Sequence, residues 1–302
     1  SIDTITWSEL SQTGVALTST NTLTTEFSAA SSVDCILTYE FRIEVTDQRG
    51  AISSDEVRVF VLDGNTTPIS VPSSFDFEGS GTAGIANANG WERGSPSSSN
   101  LLDGPQQAYS GSNVWATDLD ASPAGTSDLV LQAAPLDLRG TASPVWSFRL
   151  WLNASPNKVL DHDVLQLQIN DGTGWSGLSG EVEPPYQHED PDNEDGWSYL
   201  NEPDYTLVTA DLASHAGELL CARWVLSMDG DSRNNPGAYI DDFGLHEESS
   251  DPDGDGISGI RAEMSARFTD PFSVDTDGDG VDDGTEVNDG TNPNNPAVYA
   301  GA

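Results

Sequence analysis

The stretch Asp275-Thr-Asp277-Gly-Asp279-Gly280-Val281-Asp282-Asp283-Gly284-Thr285-Glu286 restricts this chain more than any other. Carboxylates occupy loop positions 1, 3, 5 and 9, glycine occupies 6 and glutamate occupies 12. That spacing supplies what a Ca²⁺ ion takes from a short loop. It offers hard oxygens from Asp275, Asp277, Asp279 and Asp283, the main-chain carbonyl of Val281, and a bidentate Glu286. Gly280 permits the sharp turn that aims the first three aspartates inward. Carboxylates packed this closely repel one another, and a divalent cation is their natural counterion.

A second copy precedes it. Asp251-Pro-Asp253-Gly-Asp255-Gly256-Ile257 keeps positions 1, 3, 5 and 6, with Ile257 at 7, but position 12 is Ala262 and Glu263 comes one residue late. This predicts a weaker site, or one that takes a ligand from elsewhere. Thr269-Asp270-Pro271 and Thr291-Asn292-Pro293 follow the two loops at matching distance, so the segment is a tandem repeat. The apolar residue stands at 7 rather than 8, and residues 259–267 leave room for about two helical turns between the loops. In these respects residues 251–296 resemble bacterial thrombospondin type 3 repeats. The resemblance implies a rigid, calcium-stapled stalk or spacer with no core of its own.

Toward the N-terminus, Leu37, Tyr39, Phe41, Ile43 and Val45 alternate with Thr38, Glu40, Arg42 and Glu44, which predicts a half-buried strand. Asp47-Gln-Arg-Gly50 is a turn into a partner strand carrying Val57, Val59 and Val61. Shorter strands are expected at 5–7 and 22–27. This order resembles the second half of a bacterial Ig-like domain of the polycystic-kidney-disease or cadherin-like kind, spanning residues 1–62. The resemblance implies that the first two strands are missing and that an edge beside Leu37, Phe41 and Val45 lies open. The expectation is a truncated chain first, and second a neighbour's strand in that slot, which repeated head to tail would build a filament.

Residues 63–74 read as a Pro/Ser/Thr linker. From 75 to 247 the chain is β-rich, with strands at 146–152, 164–170, 219–226 and 239–245. Asn170-Asp-Gly-Thr-Gly174-Trp175 is a hairpin turn. No useful helical period appears, so the fold class is all-β, with a β-sandwich or jelly roll here. Phe75-Asp-Phe-Glu78, Gly90-Trp-Glu-Arg-Gly94, Pro144-Val-Trp-Ser-Phe-Arg-Leu-Trp151 and Tyr239-Ile-Asp-Asp-Phe243 together resemble a MAM-type jelly roll, an accessory domain of secreted bacterial proteins. That resemblance implies a structural cation held by Glu78, Asp241 and Asp242. One stretch departs from it: residues 181–204 hold nine acids and no Lys or Arg. Such a run is a solvated loop, with Trp175, Trp197 or Tyr199 as the alternative, a glycan-stacking surface.

The formal net charge of −39, from 50 acidic and 11 basic residues, repels nucleic acid and anionic lipid. No apolar run is long enough to span a membrane. Cys35 and Cys221 lie in different segments; Cys221 reads as a small buried hydrophobe, and spacing alone does not favour a bridge. The histidines are scattered, and neither H-E-x-x-H nor G-x-S-x-G occurs. Asp161-His162-Asp163 and His188-Glu189-Asp190 cannot turn three adjacent side chains onto one ion. The expectation is therefore a non-catalytic, extracellular or cell-surface calcium protein, structural or adhesive, with copies of itself, other surface proteins or glycans as partners. The alternatives are the accessory region of a secreted hydrolase and a carbohydrate-binding module.

Overall fold

The computed structural model describes residues 1–11, 13–30, 35–63, 66–79, 84–96, 104–120, 123, 127–154, 163–187, 195–200, 204–228 and 235–296. His162, His188 and much of the acidic run (Glu189, Asp190, Asp192, Glu194, Glu202) lie outside them. The protein is all-β, as the alternation predicts, and among the described residues its two α-helices are short and lie near the C-terminal end.

Three antiparallel strands form the N-terminal sheet: β1 (Ile2–Glu9), β2 (Ile36–Asp47) and β3 (Ile52–Leu62), in the order β1-β2-β3. The alternation of β2 works as expected. Tyr39 and Phe41 are buried on one face, where Phe27 packs on both rings, while Arg42 and Glu44 face solvent. Two expectations change. Residues 22–27 form no strand, and Phe27 makes only an isolated bridge to Leu17. Beside Phe41 and Val45 the strand has no open edge, because β2 is the central strand and pairs there with β1 and β3; Leu37 pairs with Val61 of β3 and lies beyond the β1 register. The outer edges of the sheet belong to β1 and β3 instead.

The sandwich begins earlier than the linker reading allowed. Ile69–Ser70 pairs with Leu136–Asp137, and Ser73–Phe75 pairs with Gly237–Glu247, so both short segments join the sheets. Among the described residues one sheet has seven strands, centred on Leu219–Ser227, and the other has eight, centred on Pro144–Asn153 and Gly237–Glu247. Their inner faces share one apolar core. At its centre Trp146, Phe148, Trp224 and Phe243 interlock, with Trp146 and Trp224 ring centroids 4.7 Å apart and Phe148 edge-on to Trp224. Such tilted and edge-to-face contacts are the favoured aromatic geometry.

Pro144–Asn153 is buried along its whole length, on both faces. Its even-numbered residues enter the core. Its odd-numbered residues reach the opposite face, where Trp151 joins Tyr239, Tyr205 and Val114 in a second apolar cluster. A register shift against Gly237–Glu247 pairs Ser147 with Gly244 but Arg149 with Asp241. One strand thus spends one residue more than the other. Asp242 sits in that bulge at φ 42°, the left-handed region that aspartate tolerates better than most residues.

Among the described residues, Trp197 belongs to the core and offers no glycan-stacking surface. Trp197 is fully buried, packs edge-on against Tyr186, and donates its indole N–H to the Pro184 carbonyl at 3.0 Å. One face of Trp175 is covered by the Arg223 guanidinium, 3.9 Å from the ring centroid. Trp197→Ala therefore removes core: we expect a loss of about 3–5 kcal/mol of stability in a denaturant titration. An unchanged midpoint would return Trp197 to the surface.

Cys35 and Cys221 are bonded to each other, their Cα atoms 6.3 Å apart across a sequence separation of 186. The contrary expectation failed because spacing carries no information about docking. The base of the N-terminal sheet packs on the Leu219–Ser227 strand, with Ile36, Phe60 and Leu62 meeting Leu219 and Trp175 around the bridge. Thr38 adds a hydroxyl bond to the Asp171 carbonyl at 2.6 Å.

Candidate metal centre

The two loops are built alike. In each, the first aspartate accepts two main-chain N–H groups of its own loop: Asp251 from Gly254 and Gly256, Asp275 from Gly278 and Gly280. Asp253 and Asp277 accept from Asp255 and Asp279, which accept in turn from Ile257 and Val281. Each side chain so anchored leaves lone pairs aimed into the loop. The ligand oxygens of Asp251, Asp253 and Asp255 lie within 4.8 Å of one another, and so do those of Asp275, Asp277 and Asp279. An ion with Ca–O distances of about 2.4 Å spans oxygens up to about 4.8 Å apart.

After each loop comes a seven-residue helix, α1 (Ile260–Ala266) and α2 (Asp283–Asp289). Glu263 is the fourth residue of α1 and Glu286 the fourth of α2. The one-residue delay that weakened the first loop on paper is absorbed before the helix, at Gly259 with φ 99°. Both glutamates are buried, at 1% and 0% exposed, and each meets a threonine, Thr269 at 3.1 Å and Thr291 at 3.3 Å.

Asp283 faces both its own loop and the first repeat. Its oxygens accept the Thr276 N–H and hydroxyl, and it clusters with Asp255 and Glu263 of the first repeat. The loops touch directly, because Asp255 accepts the Gly284 N–H at 3.0 Å. A Cβ on Gly284 would lie 2.1 Å from the Asp255 carbonyl oxygen. We therefore expect Gly284→Ala to push the loops apart and weaken calcium binding at the first by about tenfold or more. Calcium titration of the variant checks this, and wild-type affinity at both loops would refute the contact.

Four oxygens test whether a cation fits. Asp253 Oδ2, Glu263 Oε2, Asp277 Oδ2 and Glu286 Oε2 are buried with no hydrogen-bond partner, two in each repeat. Buried acceptors without partners are costly, and one cation in each loop would supply both oxygens of that repeat. Burial raises the Asp253 carboxyl to about 6 and the Glu263 carboxyl to about 7. A divalent ion between them would reverse that preference and hold both as anions.

Glu78, Asp241 and Asp242 form no shared cluster among the described residues. Glu78 spends its oxygens on the Ser112 and Asn113 N–H groups and the Asn113 amide. Asp241 accepts from the Ser110 and Asp242 N–H groups, and Asp242 from the Ser110 hydroxyl. Burial raises the Asp241 carboxyl to about 7. A cluster that sequence reading missed, Glu92 with Asp118 and Asp120, is formed at the surface. Its members come from two separate stretches of chain, so no local spacing betrays it.

The repeats lie against the sandwich instead of projecting from it. Ile260 is fully buried, and its N–H bonds to the Glu248 carbonyl at 3.0 Å. Arg261 pairs with Asp211, and Asp270 pairs with Arg149 while accepting a long bond from the Tyr109 hydroxyl at 3.4 Å. Phe272 packs on the His246 ring, with centroids 4.9 Å apart.

Residues 275–296 match the bacterial TSP3 repeat family. No curated protein matches the chain. Among solved structures, a carbohydrate-binding module of the β-sandwich superfamily is 15% identical with a TM-score of 0.31, over 82% of this chain and 86% of that one. CBM35 from Paenibacillus barcinonensis is 13% identical with a TM-score of 0.31, over 57% of this chain and 97% of that one. The protein SGBP-B, from a complex xyloglucan utilisation locus in Bacteroides uniformis, is 12% identical at the same TM-score, over 82% of this chain and 65% of that one.

Proposed function

We propose that this chain is a non-catalytic, calcium-stabilised extracellular β protein that serves as a structural or adhesive element of a bacterial surface or secreted assembly. The observation that carries the reading is the set of four partnerless buried carboxylate oxygens, two per repeat, at the loop positions calcium would use. Asp275, Asp277, Asp279 and Glu286 hold one ion. Asp251, Asp253, Asp255 and Glu263 hold another, with Asp283 reaching across from the second repeat. The main-chain carbonyls of Ile257 and Val281 complete the two spheres. The Cys35–Cys221 bridge supports an oxidising compartment outside the cytosol. The outer edges of β1 and β3 are where a neighbouring strand would extend the N-terminal sheet into an assembly.

Calorimetric titration of metal-free protein with Ca²⁺ tests this. Two coupled binding events are expected, and Asp283→Asn should weaken the first repeat's site by about tenfold and uncouple the pair. Absence of heat up to millimolar calcium would defeat the reading. Two independent sites insensitive to Asp283→Asn would defeat the shared ligand.

A further inference from the structure

Between the calcium repeats and the outer face of the eight-stranded sheet lies a cavity of about 460 Å³. Sites that enclose small organic ligands run from about 300 to 1,000 Å³. The calcium reading makes no use of this space. Its floor is sheet, with Ser147 and Arg149 on one strand and Asp242 and His246 on the next; its sides are aromatic, with Phe75 and Tyr109 from the sandwich and Phe272 from the repeat segment.

The polar groups are held in place before any ligand arrives. Arg149, 5% exposed, is gripped by Asp270 and lies over the Tyr109 ring at 4.2 Å. Asp242 is oriented by the Ser110 hydroxyl at 2.7 Å and displaced from ordinary strand geometry by the bulge. Asp76, on the rim, accepts the Glu78 N–H at 3.1 Å. Burial lowers the His246 pKa to about 4, so its ring is neutral at pH 7 and offers one donor and one acceptor.

Charge and donor pattern sort the candidate ligands. Asp76, Asp242 and Asp270 outnumber Arg149, so an anion meets net repulsion. An ammonium ion would meet Arg149 on the floor and could use none of the donors that Arg149, Ser147 and His246 present. A neutral, hydroxyl-rich ring satisfies both sets. Its hydroxyls donate to Asp76 and Asp242 and accept from Arg149 and Ser147, while its C–H face packs on Phe272. We propose that this cleft is a binding site for a neutral saccharide of one or two rings, with walls contributed by both the sandwich and the calcium repeats.

The test is saturation-transfer NMR and calorimetry on the full chain in excess calcium, which separates this site from the calcium reading. The probes are the neutral mono- and disaccharides of glucose, galactose, mannose, xylose and N-acetylglucosamine, with glucuronate and hexylammonium as charged controls. At least one neutral sugar should bind. Its affinity should fall at least tenfold in Asp242→Asn, which keeps a residue tolerant of positive φ, and in Phe272→Ala. Should either variant fail to hold the wild-type near-ultraviolet dichroism, the exposed rim variant Asp76→Asn decides by the same tenfold criterion. The proposal is overturned if no neutral probe binds, if the folded variants bind as wild type does, or if a charged control binds more tightly than every sugar.

Discussion

Chelating calcium should free residues 251–296 from the sandwich while the sandwich itself stays folded. The repeat segment has little apolar surface of its own to offset its ordering entropy; Ile257 and Ile260 are its only buried large apolar residues among those described. Its order depends on the loops. Thr276 connects the two functions of the segment, since its hydroxyl donates to Asp283 and accepts the Asp270 N–H at 2.8 Å. Asp270 in turn grips Arg149. Losing the ions leaves the crowded carboxylates repelling one another and loosens Asp270 with them. With free calcium a thousandfold above Kd, each ion contributes about 4 kcal/mol to the folded segment. Arg261, which pairs with Asp211 in the docked state, reports the change. Trypsin should cut after Arg261 at least tenfold faster in chelator than in millimolar calcium. Equal rates in the two conditions would mean that the segment holds itself together without metal.

Breaking the Cys35–Cys221 bridge should be the next largest effect, and it should fall on the N-terminal sheet. A crosslink closing 186 residues is worth about 5 kcal/mol on the chain-entropy account, an upper figure for a native bridge. What remains to hold the sheet is modest: the Ile36 cluster, the Thr38 bond to Asp171, and a half-exposed ion pair between Arg58 and Glu218. A surface pair of that kind contributes under about 1 kcal/mol. In a Cys35→Ala, Cys221→Ala double variant, amide exchange in β1, β2 and β3 should accelerate strongly while Pro144–Asn153 keeps its protection. If the three strands stay as protected as before, the docking face alone suffices and the bridge is secondary.

What each substitution disturbs first depends on where its contact sits in the chain. Gly284 and Asp283 act between the two loops, so their substitution should alter calcium binding before it alters the sandwich. Trp197 acts inside the core, so its truncation should unfold the sandwich with calcium still bound to the repeats. Dichroism of the folded core and calcium titration, measured on the same samples, separate these outcomes.

What the chain announces residue by residue is whatever closes within a few positions. A chelating loop is such an object: Asp275 and Asp279 meet because the backbone turns at Gly278 and Gly280, whose N–H groups both donate to Asp275. Strand alternation is another, which is why 164–170 and the β2 pattern were legible from apolar spacing alone. Contacts across long separations were not legible. Glu263 looked misplaced until α1 set its register against α2. Asp283 belongs by spacing to its own loop and is bonded there to Thr276, but its meeting with Asp255 and Glu263 is made by tertiary packing. Trp197 and Tyr199 looked like surface aromatics in an acidic run, yet burial of an indole depends on what lies over it, and Trp197 lies in the core. Cys35 and Cys221 became partners, and Asp270 reached Arg149, only because two folded pieces dock on particular faces of the sandwich. Local spacing determines geometry within a turn or a loop, whereas the choice of which surfaces meet is made by the summed burial of residues far apart in sequence.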